Sequence, residues 1–178
     1  YSALSNKINI DLRFFVTGAH LSRRHGYTIN QIIKDKFKIS QRSKSLIISN
    51  TLDSRVLGMT KQLKDLVKTI NSIKPNLLLV LGDREEAMSA AIAGSYMNVP
   101  IAHIAGGDRV IGNIDDQIRH AVTKLSHIHF TTSSESKQRV INMGEQSFRV
   151  FNVGNPGIDR LIKLKKIPSS KLSKEINF

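Results

Sequence analysis

Beyond Leu77, short apolar runs alternate with longer stretches of helical periodicity, and this alternation restricts the fold more than any other feature of the chain. The pattern predicts strand 77–81, helix 85–97, strand 99–104, helix 114–126, strand 127–132, helix 134–143, strand 148–153 and a helix over 156–166. Upstream, 8–16 reads as a buried strand ended by Thr17-Gly18. Ile29, Ile32, Ile33 and Phe37 give 27–37 a helical spacing. Val56, Leu57, Leu63, Leu66, Val67, Ile70 and Ile73 form one stripe along a helix over 53–73, closed by Lys74-Pro75. Strands that alternate with helices of this length imply βαβ units. The expected fold is therefore α/β, a Rossmann-like parallel sheet with helices on both faces. The five strands make one sheet and one domain over 1–168, and the basic, serine-rich 169–178 reads as a linker.

In such a sheet ligands gather where strands end and helices begin. Gly82-Asp83-Arg84 ends one strand, and His103-Ile104-Ala105-Gly106-Gly107-Asp108 ends the next. His20 holds the equivalent place after the first strand, and Asp115-Asp116 opens a helix. Asp83 can serve as a base, a ribose ligand or a metal ligand, or simply cap helix 85–97. Arg84 suits a phosphate but can also pair with its neighbour. Glu85 and Glu86 fall in a first helical turn, where acidic residues complement the helix dipole. Of Asp115 and Asp116, one caps and the other is free to face the cleft. Arg119, four residues beyond Asp115, is placed to pair with it. Carboxylates held on separate elements suit an acid and a base acting on opposite faces of a sugar ring.

Composition removes several alternatives. With 27 Lys+Arg against 14 Asp+Glu the chain carries a formal charge of +13, which invites a polyanion. Its basic residues gather in the first third and the tail without interleaved aromatics, so nucleic acid is set aside. There is no cysteine, so disulfide and thiolate chemistry are excluded and a reducing compartment is permitted. No apolar run approaches the roughly twenty residues of a membrane span, and a cytoplasmic protein is expected. His127-Ile128-His129 is the best candidate for a metal among the 6 histidines, yet no acidic partner follows at ligand spacing and no HExxH occurs. No metal and no cofactor are expected. A G-x-G-x-x-G fingerprint and a P-loop are both absent.

The segments Val16-Thr17-Gly18-Ala19-His20-Leu21-Ser22, Val80-Leu81-Gly82-Asp83-Arg84, His103-Ile104-Ala105-Gly106-Gly107-Asp108, Val153-Gly154-Asn155-Pro156 and the block from Ile114 through Arg119-His120 to His127 occur in order. Together they resemble the hydrolysing UDP-N-acetylglucosamine 2-epimerases of the branch serving sialic-acid-type sugars. The resemblance covers nearly the whole chain. It implies the amino-terminal half of a glycosyltransferase-B type fold. That domain, over 1–168, would be catalytic and incomplete at its start, with Tyr1-Ser2-Ala3-Leu4 as the remnant of a first strand and phosphate loop. The linker 169–178 would lead towards a carboxy-terminal nucleotide-binding domain beyond this chain.

The implied reaction turns UDP-N-acetylglucosamine into UDP and N-acetylmannosamine through a 2-acetamidoglucal, for nonulosonic acid biosynthesis. A related substrate is UDP-2,4-diacetamido-2,4,6-trideoxyglucose, on the way to legionaminic acid, and a non-catalytic sugar-nucleotide module is the other alternative. By the resemblance Asp83 and Asp115 match catalytic carboxylates. A third, in a His-x-Glu-Gly-Gly motif, falls at Ala105, with Asp108 as its substitute. Arg84, His20, His103, Gly106 and Gly107 are the expected substrate-binding residues. The expected partner is a UDP-sugar and the expected state a homo-oligomer, dimer or tetramer.

Overall fold

The computed structural model describes residues 2–5, 7, 9–49, 51 and 53–163. Its elements run α1 (Ser2–Ser5), β1 (Arg13–Thr17), α2 (Ile29–Lys34), β2 (Lys38–Ser43), α3 (Asp53–Ile73), β3 (Leu78–Leu81), α4 (Glu85–Tyr96), β4 (Ile101–Ile104), α5 (Asp115–Leu125), β5 (Ile128–Thr131), α6 (Ser134–Asn142), β6 (Val150–Asn152) and α7 (Pro156–Lys163). Short 3-10 turns at Gly18–Leu21 and Arg23–His25 follow β1. The expected linker 169–178 lies outside the described residues. Of Tyr1-Ser2-Ala3-Leu4, expected as the remnant of a strand and phosphate loop, residues 2–4 lie in the helical turn α1, and Tyr1 lies outside the described residues.

The α/β architecture is the one the alternation implies, with one correction. The strands form two parallel sheets, β1-β2 and β3-β4-β5-β6, where one sheet of five strands was expected. β2 is the addition. Its Lys-Ile-Ser-Gln-Arg-Ser sequence holds a single large apolar residue, Ile39, so it gives no hydrophobic signal. Partners outside the strand hold it in place. Phe37 stacks on Phe14 with ring centroids 4.9 Å apart, Asp11 binds both Arg13 and Lys38, and Ser40 donates to the Phe14 carbonyl at 3.0 Å. The first strand, expected over 8–16, is confined to 13–17 and carries a register shift between Phe14 and Phe15.

The core lies between the larger sheet and a helical layer of α3, α4 and α5. Val80, Ala87, Ala91, Ile101 and Val122 form one buried cluster. Leu66, Ile70, Ala93 and Val99 form a second, against which Phe15 of the smaller sheet packs. Small residues let α4 sit close to the strands. A Cβ on Gly94 would come within 2.9 Å of Ile101 and Leu78 side chains. All strands being parallel, their carboxyl ends share one edge, and Gly82 N and Ala105 N extend the ladder past the strand ends to Ile104 O and Phe130 O. Among the described residues no helix is long and apolar enough to cross a membrane.

Candidate active site

Arg119 is the hub of that edge. It lies one turn into α5, is 8 % exposed, and turns its guanidinium back towards the sheet. One nitrogen binds the Asp83 carboxylate; the other donates to the Ala105 carbonyl at 2.8 Å and lies 3.7 Å from Asp108. The guanidinium therefore joins a carboxylate after β3 to one after β4. The expected pairing with Asp115 is corrected: the groups after β3 and β4, Asp83 and the Ala105 carbonyl, take the Arg119 guanidinium instead. Capping is also excluded for Asp83, because the N-cap position of α4 is Arg84 and no side chain caps it.

Asp108 accepts from the hydroxyls of Thr132 at 2.5 Å and Ser136 at 2.6 Å, at the start of α6. Asp115 accepts from the Asn113 amide at 3.0 Å and lies 3.9 Å from Arg55 of α3. Arg55 also forms a 2.8 Å bond to Glu85. Asp116 accepts from Val110 N, which lowers its pKa.

The remaining expected residues divide by exposure. Arg84 is two-thirds exposed at the rim, 3.7 Å from Glu85. His20 is exposed and bonds Thr28 Oγ1 at 2.7 Å. His103, expected on the surface of the site, is instead fully buried beneath it: Nε2 donates to Gly82 O at 2.8 Å and Nδ1 is 3.2 Å from Thr123 Oγ1. It fixes the Gly82-Asp83 turn, since an imidazole with both nitrogens engaged has none for a ligand. The close approach permitted by Gly106 and Gly107 is likewise made to the protein. A Cβ on Gly106 would lie 3.1 Å from His103 and Thr123, and one on Gly107 2.4 Å from the Ser136 carbonyl.

His127 and His129 have structural partners. His127 Nδ1 accepts from Ile101 N at 3.2 Å. The buried His129 meets Glu145 at 3.2 Å, and Lys124 and Arg149 bind the same carboxylate. Burial lowers the pKa of His129, with Glu145 pulling it the other way.

Sequence reasoning passed over Arg55, Thr132 and Ser136, and gave Glu86 only a helix-dipole role. Arg55 carried a usable signal: a cation in the first turn of a helix opposes the dipole and needs a local carboxylate, here Glu85. Glu86 is more than a dipole complement. Burial raises its pKa, and its carboxyl lies where any side chain on Gly18 would have to go.

A charged edge of this kind can bind an anion at its rim and move protons at its floor. Known proteins give a consistent picture. The model of the UDP-N-acetylglucosamine 2-epimerase family matches residues 2–177. The chain is 39% identical over 157 residues to a hydrolyzing UDP-N,N'-diacetylbacillosamine 2-epimerase of Legionella pneumophila, covering 88% of this chain and 41% of that protein. It is 37% identical over 156 residues to polysialic acid biosynthesis protein P7 of Escherichia coli, covering 87% of this chain and 40% of the other. A crystal structure of UDP-GlcNAc 2-epimerase from Neisseria meningitidis bound to UDP-GlcNAc superposes with a TM-score of 0.78 at 25% identity, over 99% of this chain and 48% of that one. The chain thus spans about two fifths of the length of the curated relatives it matches.

Proposed function

Since this chain belongs to the UDP-N-acetylglucosamine 2-epimerase family, we propose that it forms the acid–base half of a hydrolysing sugar-nucleotide 2-epimerase. The observation that carries this is the set of three carboxylates, Asp83, Asp108 and Asp115, gathered at one sheet edge, two of them on the guanidinium of Arg119. In the proposed reaction a carboxylate takes the C2 proton of a UDP-2-acetamido sugar. The C1–O bond breaks, UDP leaves with the electron pair, and a 2-acetamidoglucal remains. A second carboxyl group then delivers a proton to the opposite face of C2 while water adds at C1 and returns its spare proton to that carboxylate, giving free UDP and the C2-epimeric sugar. We assign the two proton transfers to Asp83, which is bound to Arg119, and Asp115, which lies beside Arg55, with Asp108 as a third group near Arg119. Arg84 and His20, exposed at the rim, bind the substrate.

UDP-N-acetylglucosamine is the substrate that the family description favours. UDP-2,4-diacetamido-2,4,6-trideoxyglucose is the second reading, favoured by relatives named for diacetylbacillosamine at 39% and 35% identity. We further infer a cytoplasmic homo-oligomer, in which 1–168 is the catalytic domain and 169–178 leads to the nucleotide-binding one.

The test is UDP release by the full-length protein in deuterated water, followed by NMR of the sugar. The expected product carries deuterium at C2 with inverted configuration. Asp83→Asn or Asp115→Asn is expected to lower kcat by about two to four powers of ten. Wild-type turnover by Asp83→Asn would remove that residue from the reaction.

A further inference from the structure

Asp108 is held through one of its two oxygens. Thr132 Oγ1 at 2.5 Å and Ser136 Oγ at 2.6 Å both donate to Oδ1. Two donors fill the lone-pair sites of one carboxylate oxygen. Oδ2 makes no hydrogen bond among the described residues and lies 3.7 Å from Arg119 Nη1. That is about 0.8 Å beyond an ordinary N–H···O bond.

The first turn of α6 keeps this arrangement in place. Ser133 caps the helix by accepting from Ser136 N at 3.1 Å, and its hydroxyl donates to Ser136 Oγ at 3.2 Å. The Ser136 proton, on a residue 4 % exposed, is left for Asp108. The loop after β4 is also fastened to α6 without Asp108, since Arg139 binds the Gly107 carbonyl and Gly107 packs on Ser136. What the two hydroxyls add is the orientation of one carboxylate.

Arg119 gives that orientation a use. Its buried guanidinium binds Asp83 through Nη2 and the Ala105 carbonyl through Nη1, and its Nε has no partner. One positive charge thus stands between two carboxylates. The reading above gives Asp83 one of the two proton transfers, so Asp83 is neutral at one stage of every turnover. At that stage the guanidinium loses its counter-charge, and a buried cation without one is costly. We propose that Asp108 is the standing counter-ion of Arg119 while Asp83 carries a proton, and that Thr132 and Ser136 are positioning residues that keep Oδ2 turned to the guanidinium. The proton passes onto Asp83 and off again, while Arg119 keeps its charge and Asp108 stays a carboxylate. The inference rests on the sugar-nucleotide reading and gives Asp108 a part in it without a proton transfer of its own.

Steady-state kinetics of the full-length protein on UDP-N-acetylglucosamine and on UDP-2,4-diacetamido-2,4,6-trideoxyglucose test it, with UDP as a product inhibitor. Asp108→Asn keeps an oxygen for both hydroxyls but removes the charge, and is expected to lower kcat roughly a hundredfold. Thr132→Val and Ser136→Ala each remove one hydrogen bond to a charged group and are expected to lower kcat about tenfold. KM and the inhibition constant of UDP stay within about twofold, as befits groups that act on Asp83 through Arg119. Thr132→Ser, which keeps the hydroxyl, restores most of the kcat lost in Thr132→Val. The isotope effect on kcat, measured with sugar deuterated at C2 and separately in deuterated water, is expected to rise in Asp108→Asn in one of the two. Turnover by Asp108→Asn within about twofold of the unmodified protein would overturn the proposal. So would isotope effects that do not rise, Thr132→Ser no faster than Thr132→Val, or KM and UDP inhibition weakening along with kcat, the mark of a general loss of structure. If Asp108→Asn or Ser136→Ala does not fold, the two Thr132 variants carry the test on a half-buried side chain. Absence of UDP release from either sugar by the unmodified protein would overturn the sugar-nucleotide reading itself, and this inference with it.

Discussion

His103 has a measurable acid signature. Burial lowers its pKa from 6.5 to about 4, with the Gly82 carbonyl opposing the shift. The ring is therefore neutral in the folded chain where the unfolded chain already takes up a proton. Above about pH 6.5 this makes no difference to stability. As the pH falls towards about 4 the unfolded state binds more protons, stability drops, and the penalty then levels off. For His103 alone the loss between about pH 7 and pH 5 is roughly 2 kcal/mol. Urea unfolding of the chain at those two values, beside His103→Gln, checks this. The variant is expected to lose less stability on acidification, and equal losses would show that the ring already titrates normally. At this scale the sequence disclosed which residues gather, because glycine-punctuated strand ends mark Asp83, His103 and Asp108 without any structure. It concealed what they touch. Arg119 reads as a partner for Asp115 from spacing alone, and that spacing says nothing of the groups after β3 and β4 that take its guanidinium instead.

Elements divide along similar lines. The helix expected over 53–73 is α3 to the residue, because its apolar stripe is long and Lys74-Pro75 stops it. The strands after residue 77 sit within a few residues of expectation because each holds a short apolar run set off by Gly, Pro or polar residues. β2 could not be read that way, since it is held by Phe14, Asp11 and hydroxyl contacts made through its neighbours. The glycines reveal a second property of elements, the separation between them. Gly107 has φ +78°, and a Cβ there would strike the Ser136 carbonyl and Val140 of α6. Gly82 has the same φ with nothing within 4 Å of such a Cβ. Gly82→Ala is expected to cost about 1 kcal/mol from backbone strain alone. Gly107→Ala must also push α6 away from the β4 loop and is expected to cost more than about 3 kcal/mol, a fall in Tm of roughly 6 °C or more. Thermal unfolding of the two variants side by side tests this, and equal shifts would mean that α6 moves freely.

For the molecule as a whole, the proposed chemistry is laid out on one edge of one sheet, in a chain that covers 41% of its Legionella relative. A glycal intermediate has to be shielded until water adds, and the diphosphate has to be held. The isolated chain is therefore expected to release little or no N-acetylmannosamine from UDP-N-acetylglucosamine. Its affinity for UDP should be no better than roughly millimolar, the level of a few unorganised contacts screened by salt. A coupled UDP-release assay on this chain and on the full-length protein measures both, and robust release by the chain alone would overturn the two-domain proposal. The division into two sheets has a mechanical consequence as well. Among the described residues no backbone ladder crosses from β1-β2 to the sheet of β3, β4, β5 and β6, so the seam is bridged by side chains such as Phe15, packed on Leu66 and Ile70 of α3 and Ala93 of α4. A small cavity straddles that seam, with Gly18 and Ser45 on one bank and Glu85 and Glu86 on the other. Anything that filled it and touched both banks would act as a rivet, and by linkage it would hold the two sheets together by as much as their parting weakens its own binding.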